Sequence, residues 1–522
     1  MRAGPKKKLI LMVIDACASR VVVPAILSGR LPNLQQLAER GVLRPQCTAI
    51  FPSLTPAATS SIFTGSYPKD HNIFGFHWYD LERNEVVYYG DDFWVIVKQG
   101  LGQFFEDLLF KLNHVRLTAK TIFQSVEEAG LQAACLNYLM FRGNVKHQAN
   151  LPLLLSLLPG VPASEELYGP SLLYFGDLVQ TNLTTTGEPL ETVGGMFKRY
   201  GFADENTFKL LFQLAETNSL PDLSLAYFPD NDYQSHDLGP EAALSTIEQF
   251  DQKLGDLFEL CGGLERFLAE FCLIITGDHA QSMMVEDGET AGIRLDEILA
   301  DFSIAPTGQP WREEHQLILC PDMRCAQIYF KDLPTREVEH LIALLAGDRR
   351  VDQLIWRAQY TGEDNRSINV ATLDRGRLRF WPGSDGPQTA VDQYGCTWSW
   401  EGNLAAVGGQ VSKNNILRFP NYPNAFERIT GAINGESSGH IWATAQPGYE
   451  FSVAETNVHV GGGSHGSLHV QDSFSPLLIA GAPADLFIPD QPRSVDIMPM
   501  CLSILGLASE HQIGTSRVAG RL

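Results

Sequence analysis

The 522-residue chain has no CxxC pair, no internal repeat, no low-complexity tract and few basic residues. Its nine cysteines are odd in number and scattered, which argues against a disulfide framework and for reduced, buried thiols. Apolar runs are short. Leu9–Ile14 ends at Asp15 with no small-residue cleavage pattern behind it, and Leu151–Leu158 falls far below the ~18 residues that span a bilayer. Neither signal peptide nor membrane span is expected, and the location expected is cytoplasmic. Lys and Arg total 39 against 61 Asp and Glu, a formal net charge of -22. Lys6, Lys7 and Lys8 form the only tight basic run, at the N-terminus. Such a chain repels nucleic acid polymers and anionic membranes. A phosphate site in so acidic a protein needs a strong local positive charge, which metal ions supply.

What is present is an ordinary globular balance, 44% hydrophobic and 19% charged residues, which does not indicate disorder. A single simple core stops growing at roughly 250–300 residues, so a large domain with an insertion is expected. The run 8–15 predicts a parallel strand buried on both faces. Further strands are predicted at 133–138, 223–228 and 271–276, with helices at 32–41 (Gly41 as the stop), near 118–129 and within 240–269. This alternation gives an α/β class with a doubly wound sheet flanked by helices. From about 305 to 455, short alternating runs such as 326–330 are broken by Gly, Pro and Asn, and Trp381, Trp398, Trp400 and Trp442 concentrate there. The expected division is a catalytic core over 1–304, an inserted mixed α+β cap over 305–455, and the rest of the core over 456–522.

The candidate ligands follow these strands. Asp15 follows the first, Asp232 and His236 the third, and Asp278 and His279 the fourth; His465 lies in the glycine-rich Gly461–Ser467. Sites of open α/β sheets form outside the carboxyl ends of the strands. Alone, each has a bland reading: a loop cap, a surface pair, a turn residue. Together, six carboxylate and imidazole ligands suffice for two divalent ions, Zn²⁺ by donor type or else Mn²⁺ or Fe²⁺. Two such ions suit in-line displacement at phosphorus.

Thr55, in Phe51-Pro52-Ser53-Leu54-Thr55-Pro56, is the candidate nucleophile. Pro56 fits the first helical position, Thr55 the N-cap and Gly65 the stop. Thr55 could simply cap the helix. The same place also offers a positive dipole end to a phosphate, and a hydroxyl beside a divalent ion is activated for attack.

These residues resemble the alkaline phosphatase superfamily, most closely its type I phosphodiesterase/nucleotide pyrophosphatase branch. The resemblance is carried by Phe51-Pro52-x-x-Thr55, Thr64-Gly65-x-Tyr67-Pro68-x-x-His71, Asp232-x-x-x-His236-x-x-Gly239-Pro240, Asp278-His279, Gly463-x-His465-Gly466 and the ending Asp496 to Gly506. It covers about 1–80, 222–285 and 459–510. It implies an alkaline-phosphatase-like, mostly parallel sheet with flanking helices. It also implies that Asp15, Thr55, Asp278 and His279 hold one metal ion and Asp232, His236 and His465 the other. Thr55 would form a covalent phospho-enzyme on a small-molecule phosphate ester, most readily a phosphodiester or nucleotide pyrophosphate. One departure concerns substrate: Phe76 stands where nucleotide pyrophosphatases usually carry a phosphate-contacting asparagine, leaving Phe76 and His77, or Asn72, as candidate substrate contacts.

Rival readings share the metal core. A phosphomonoesterase or phosphonate hydrolase is the main rival; a monoesterase would need rim cations for the extra charge, for which Arg142, Lys413 and Arg418 are candidates, and a diesterase room for a second ester group. A sulfatase is disfavoured because Thr55-Pro56 is followed by no arginine. A metal-free binding protein predicts lost ligands or nucleophile, and none of the seven is missing.

Overall fold

A computed structural model describes residues 7–90, 96, 101–150, 164–180 and 194–518; Lys6 and Leu151–Leu158 lie outside them. The central sheet has eight strands: β1 (Lys8–Ile14), β2 (Gly41–Thr48), β3 (Ala133–Leu136), β4 (Leu172–Phe175), β5 (Val179–Gln180), β6 (Leu223–Phe228), β7 (Phe271–Thr276) and β8 (Phe474–Ala480). Their spatial order is β2-β8-β7-β1-β6-β3-β4-β5. The run β7-β1-β6-β3-β4 is parallel throughout, while β8 pairs antiparallel with both β7 and β2.

The apolar run of β1 is explained by its two covered faces. Leu9, Leu11 and Val13 point into one core with Ile62, Phe63, Ile497 and Cys501. Ile10, Met12 and Ile14 point into the other with Ile26, Leu37, Phe208 and Phe250. Helices Thr55–Thr64 and Ser494–Ile504 therefore cover one face, and Ser19–Leu27, Pro32–Arg40, Asp204–Glu216 and Leu244–Leu260 the other. Lys7 and Lys8 donate to backbone carbonyls of Leu268, Gly481 and Leu220, pinning the lead-in rather than forming a basic patch.

Two local expectations need correction. Gly41 does not simply end the helix at 32–40; it opens β2, because a Cβ there would lie 2.1 Å from the Ile479 carbonyl oxygen of β8. The single long amphipathic stretch expected over about 240–269 is two helices, Leu244–Leu260 and Leu264–Glu270, separated at Gly262 and Gly263, both with positive φ.

A second sheet of ten strands lies within residues 317–445. Its pairings are antiparallel apart from one parallel contact between Gln388–Asp392 and Ile416–Arg418. Trp398, Trp442 and Phe426 from this segment share one buried cluster with Leu9 and Leu11 of β1, so the two sheets pack through a common interior. The hairpin Leu317–Asp322/Cys325–Phe330 turns at Met323, and that turn reaches the candidate site.

Candidate active site

The three adjacent central strands β7, β1 and β6 end side by side, and their carboxyl ends deliver the acids. Asp15 follows β1 directly, its N–H donating to Phe228 at 3.0 Å. Asn231 holds the turn by donating to the Asp15 and Ala16 carbonyls at 2.8 and 3.1 Å. Helix Asp230–Leu238 places Asp232 and His236 one turn apart, on one face. Asp278 accepts from the backbone of Ala16 and His279 through Oδ1, at 3.3 and 2.9 Å, which turns Oδ2 to the site.

The ligand atoms fall into two groups: Asp15, Asp278 and His279, and Asp232, His236 and His465, each with ligand atoms within 4.8 Å of one another. His279 Nε2 lies 3.4 Å from Asp15 Oδ1 and 3.7 Å from Asp278 Oδ2. His236 Nε2 lies 3.4 Å from Asp232 Oδ2, and His465 Nε2 3.8 Å from Asp232 Oδ1. The rings of His279 and His465 stack at 3.8 Å and 15°, joining the groups. Each imidazole is oriented from behind: His236 Nδ1 on the Gly463 carbonyl at 2.9 Å, His465 Nδ1 on that of Ser53 at 2.8 Å. This leaves Nε2 for the site, the usual arrangement of histidine ligands.

Thr55 stands at the junction, its hydroxyl 3.1 Å from His279 Nε2. The helix begins one residue earlier than expected. Leu54 is the N-cap, Thr55 the first helical residue and Pro56 the second, and no side chain caps the end. The Thr55 hydroxyl is thus not spent on capping. Gly65 ends the helix as expected, at φ 68° with its N–H on Ser61. All ten helix residues are buried although five carry hydroxyls. Several of these are satisfied locally: Thr59, Ser60 and Thr64 donate to carbonyls one turn back at 2.5–2.7 Å.

The electrostatics describe an uncompensated acidic cluster. Burial, with Asp232 and Asp278 nearby, pushes the Asp15 carboxyl far above its usual range. Burial also raises Asp278 against the pull of His279. For Asp232, burial acts upward but is outweighed by His236, His465 and His279, which hold it well below the carboxylate range. Burial lowers His236, yet Asp232 lifts it to about 9. Burial and neighbouring His279 hold His465 far below its ordinary value. Buried Asp15 Oδ1, Asp278 Oδ2 and His465 Nε2 have no hydrogen-bond partner. Burying such groups unpaired is costly, and mixed oxygen and imidazole donors facing one space fit divalent cations.

Sequence reasoning missed the layer behind these ligands. Tyr227 donates its hydroxyl to Asp15, and Gln281 its amide to Asp232. Glu450 accepts from His459, whose ring lies 4.2 Å from that of His236. The turn at Met323 is stitched in by the Arg324 N–H on the His465 carbonyl at 2.9 Å, and by Asp322, which accepts the Phe76 and His77 N–H groups at 2.8 and 3.0 Å. Tyr227 lies within the predicted strand 223–228 and gave the only signal; the others lie in segments with no pattern.

The candidate substrate contacts are placed less directly. His77 is buried with Nδ1 3.1 Å from the Pro321 carbonyl and its ring edge-on to Tyr88, and burial lowers it to about 4. Phe76 is half-buried against the main core. Asn72 caps the helix Pro68–His71 at φ 64°. Arg142 gives its guanidinium to the Leu117 and Ala119 carbonyls, while Lys413 and Arg418 are exposed near the far edge of the ten-stranded sheet.

Comparison with solved structures agrees with this architecture. Human ectonucleotide pyrophosphatase/phosphodiesterase 5 superposes with a TM-score of 0.56 at 15% identity, covering 97% of this chain and 96% of that one. The murine protein, as an inactive variant in complex with AMP, gives 0.57 at 14%, covering 97% of each. Phosphonoacetate hydrolase from Sinorhizobium meliloti 1021, in complex with phosphonoformate, gives 0.55 at 18%, covering 96% of each. The fold is therefore the alkaline-phosphatase-like one. No curated protein matches the chain. No helix among the described residues is long and apolar enough to cross a membrane. Residues 9–363 match the type I phosphodiesterase / nucleotide pyrophosphatase family, including the 80–220 region that the motifs left unmatched. The chain belongs to that family, whose members are hydrolases acting on phosphate ester bonds.

Proposed function

We propose that the chain is a two-metal phosphohydrolase that cleaves small-molecule phosphodiesters or nucleotide pyrophosphates through a phospho-threonine intermediate on Thr55. The observation that carries this reading is two ligand groups joined by the stacked His279 and His465 rings, with the Thr55 hydroxyl 3.1 Å from His279 Nε2 and atoms of Asp15, Asp278 and His465 left without hydrogen-bond partners. Asp15, Thr55, Asp278 and His279 would hold one ion and Asp232, His236 and His465 the other, zinc by donor type, with Mn²⁺ or Fe²⁺ as alternatives. Bound divalent ions would neutralise the acidic cluster, favour loss of the Thr55 proton and stabilise charge on phosphoryl oxygens. Thr55 Oγ1 forms the new bond to phosphorus as the alcohol or phosphate leaving group departs with its bonding pair. Water then cleaves the phospho-threonine and restores the hydroxyl. The helix behind Thr55 directs its positive end at the transferred group.

The division into 1–304, 305–455 and 456–522 is part of the same proposal, supported by the ten-stranded sheet lying within the middle stretch. A second reading, phosphonate hydrolysis on the same centre, is favoured by the likeness to phosphonoacetate hydrolase. A hydrolysis panel of diester, pyrophosphate, monoester and phosphonate substrates, with Zn²⁺ or Mn²⁺, tests both. Diester or pyrophosphate turnover is expected to dominate; turnover of the phosphonate alone would overturn the first reading.

A further inference from the structure

Residues 459–463 hold His236 from three sides. The His459 ring lies against it at 4.2 Å and 33°, and the Gly463 carbonyl takes its Nδ1 at 2.9 Å. Gly462 presses so closely on the helix that a Cβ there would sit 1.7 Å from the His236 carbonyl oxygen. His459 is itself fixed. Glu450 Oε1 lies 2.9 Å from its Nδ1, and Oε2 accepts its backbone N–H at 3.0 Å. Glu450 is buried and sits on the short strand Glu450–Ser452, which pairs with Gly292–Arg294. A buried carboxylate with both oxygens committed to one neighbouring residue is a costly device for fixing a loop, and here the fixed ring faces a candidate ligand.

We infer that Glu450 and His459 form a positioning pair that fixes the orientation of His236 and thereby sets the affinity of the Asp232–His236–His465 group for its ion. The inference rests on the assignment of those three residues as ligands. Taking away the His459 ring frees one face of His236, and Nε2 then samples orientations unsuited to coordination. Removing a partner behind a ligand typically weakens metal binding about 10–100-fold.

Calorimetric titration of the metal-depleted full chain with Zn²⁺ tests this, with His236→Ala marking which equivalent belongs to that group. His459→Ala should weaken that equivalent about 10–100-fold, leaving the other equivalent near wild type. His459→Phe, which keeps a planar ring against His236, should recover most of the loss. Wild-type affinity at both equivalents in His459→Ala overturns the positioning role, as does a loss shared evenly between them. A wild-type chain that binds no ion sensitive to His236→Ala overturns the ligand assignment instead.

Discussion

The Thr55 hydroxyl and His279 Nε2 lie 3.1 Å apart although 224 residues separate them in sequence. The strand order brings them together, because β1 and β7 are neighbours whose carboxyl ends open on the same edge of the sheet, and the helix led by Thr55 covers one face there.

Because that hydroxyl caps nothing, Thr55→Ala should separate chemistry from folding. Loss of a covalent nucleophile costs orders of magnitude in turnover, so hydrolysis of bis-p-nitrophenyl phosphate should fall by more than about a thousandfold, with melting temperature and metal content near wild type. Undiminished turnover would remove Thr55 from the mechanism.

Asp278→Asn keeps an oxygen for the Ala16 and His279 N–H groups but removes the charge on the side facing the site. Calorimetry should show one ion bound at least about tenfold more weakly, together with a lower rate. Chelation should abolish activity in the wild type. Adding back free metal at about 100 times its Kd should return about 2.7 kcal/mol of stability, read as a rise in melting temperature that a tenfold weaker site in Asp278→Asn cuts by about half.

Two buried histidines outside the ligand groups predict a pH dependence of stability. Burial lowers His71 to about 3 and His77 to about 4. The His71 ring accepts the Ile73 N–H at 3.1 Å through Nδ1, which requires its neutral form. In the unfolded chain both titrate near about 6.5. Between about 4 and 6.5 the unfolded state therefore binds more protons, and stability rises with pH by up to about 1.4 kcal/mol per pH unit for each histidine. Their contribution is complete above about 6.5 and is lost on acidification. Urea midpoints measured across this range should climb with pH, and His77→Gln should flatten the climb.

Arg493 is buried between Glu427, at 2.8 and 3.0 Å, and Asp496, at 2.8 and 2.9 Å, with its guanidinium 4.1 Å over the Tyr394 ring. Arg493→Met leaves two buried carboxylates facing each other with less positive charge. A loss of about 3–5 kcal/mol is expected, measured by chemical denaturation. A loss below about 1 kcal/mol would show that Arg517 compensates.

The central strands were legible because burial on both faces forces uninterrupted apolar runs; 223–228 and 271–276 match their observed bounds. Strand β2 escaped notice because, as an edge strand of the sheet, its middle is half-exposed or exposed and it contains Pro45. The seven candidate site residues were legible because each sits at a strand end, a helix start or a glycine run, and the structure brings all seven together. The side chains behind them were not. Gln281, Glu450 and His459 act through contacts between distant segments, which no local pattern encodes. The N-terminus of the Thr55 helix was misjudged by one residue because threonine before proline is equally good chemistry for a cap.

The turn at Met323 has a consequence for protein engineering. Through Arg324 it grips the segment carrying His465, and through Asp322 it grips the backbone at Phe76 and His77. The middle stretch of the chain is therefore a wall of the candidate site rather than a detachable roof. A chimera that exchanges it for a relative's counterpart must also exchange 75–77 and 463–466, or the site loses its shape before any substrate arrives.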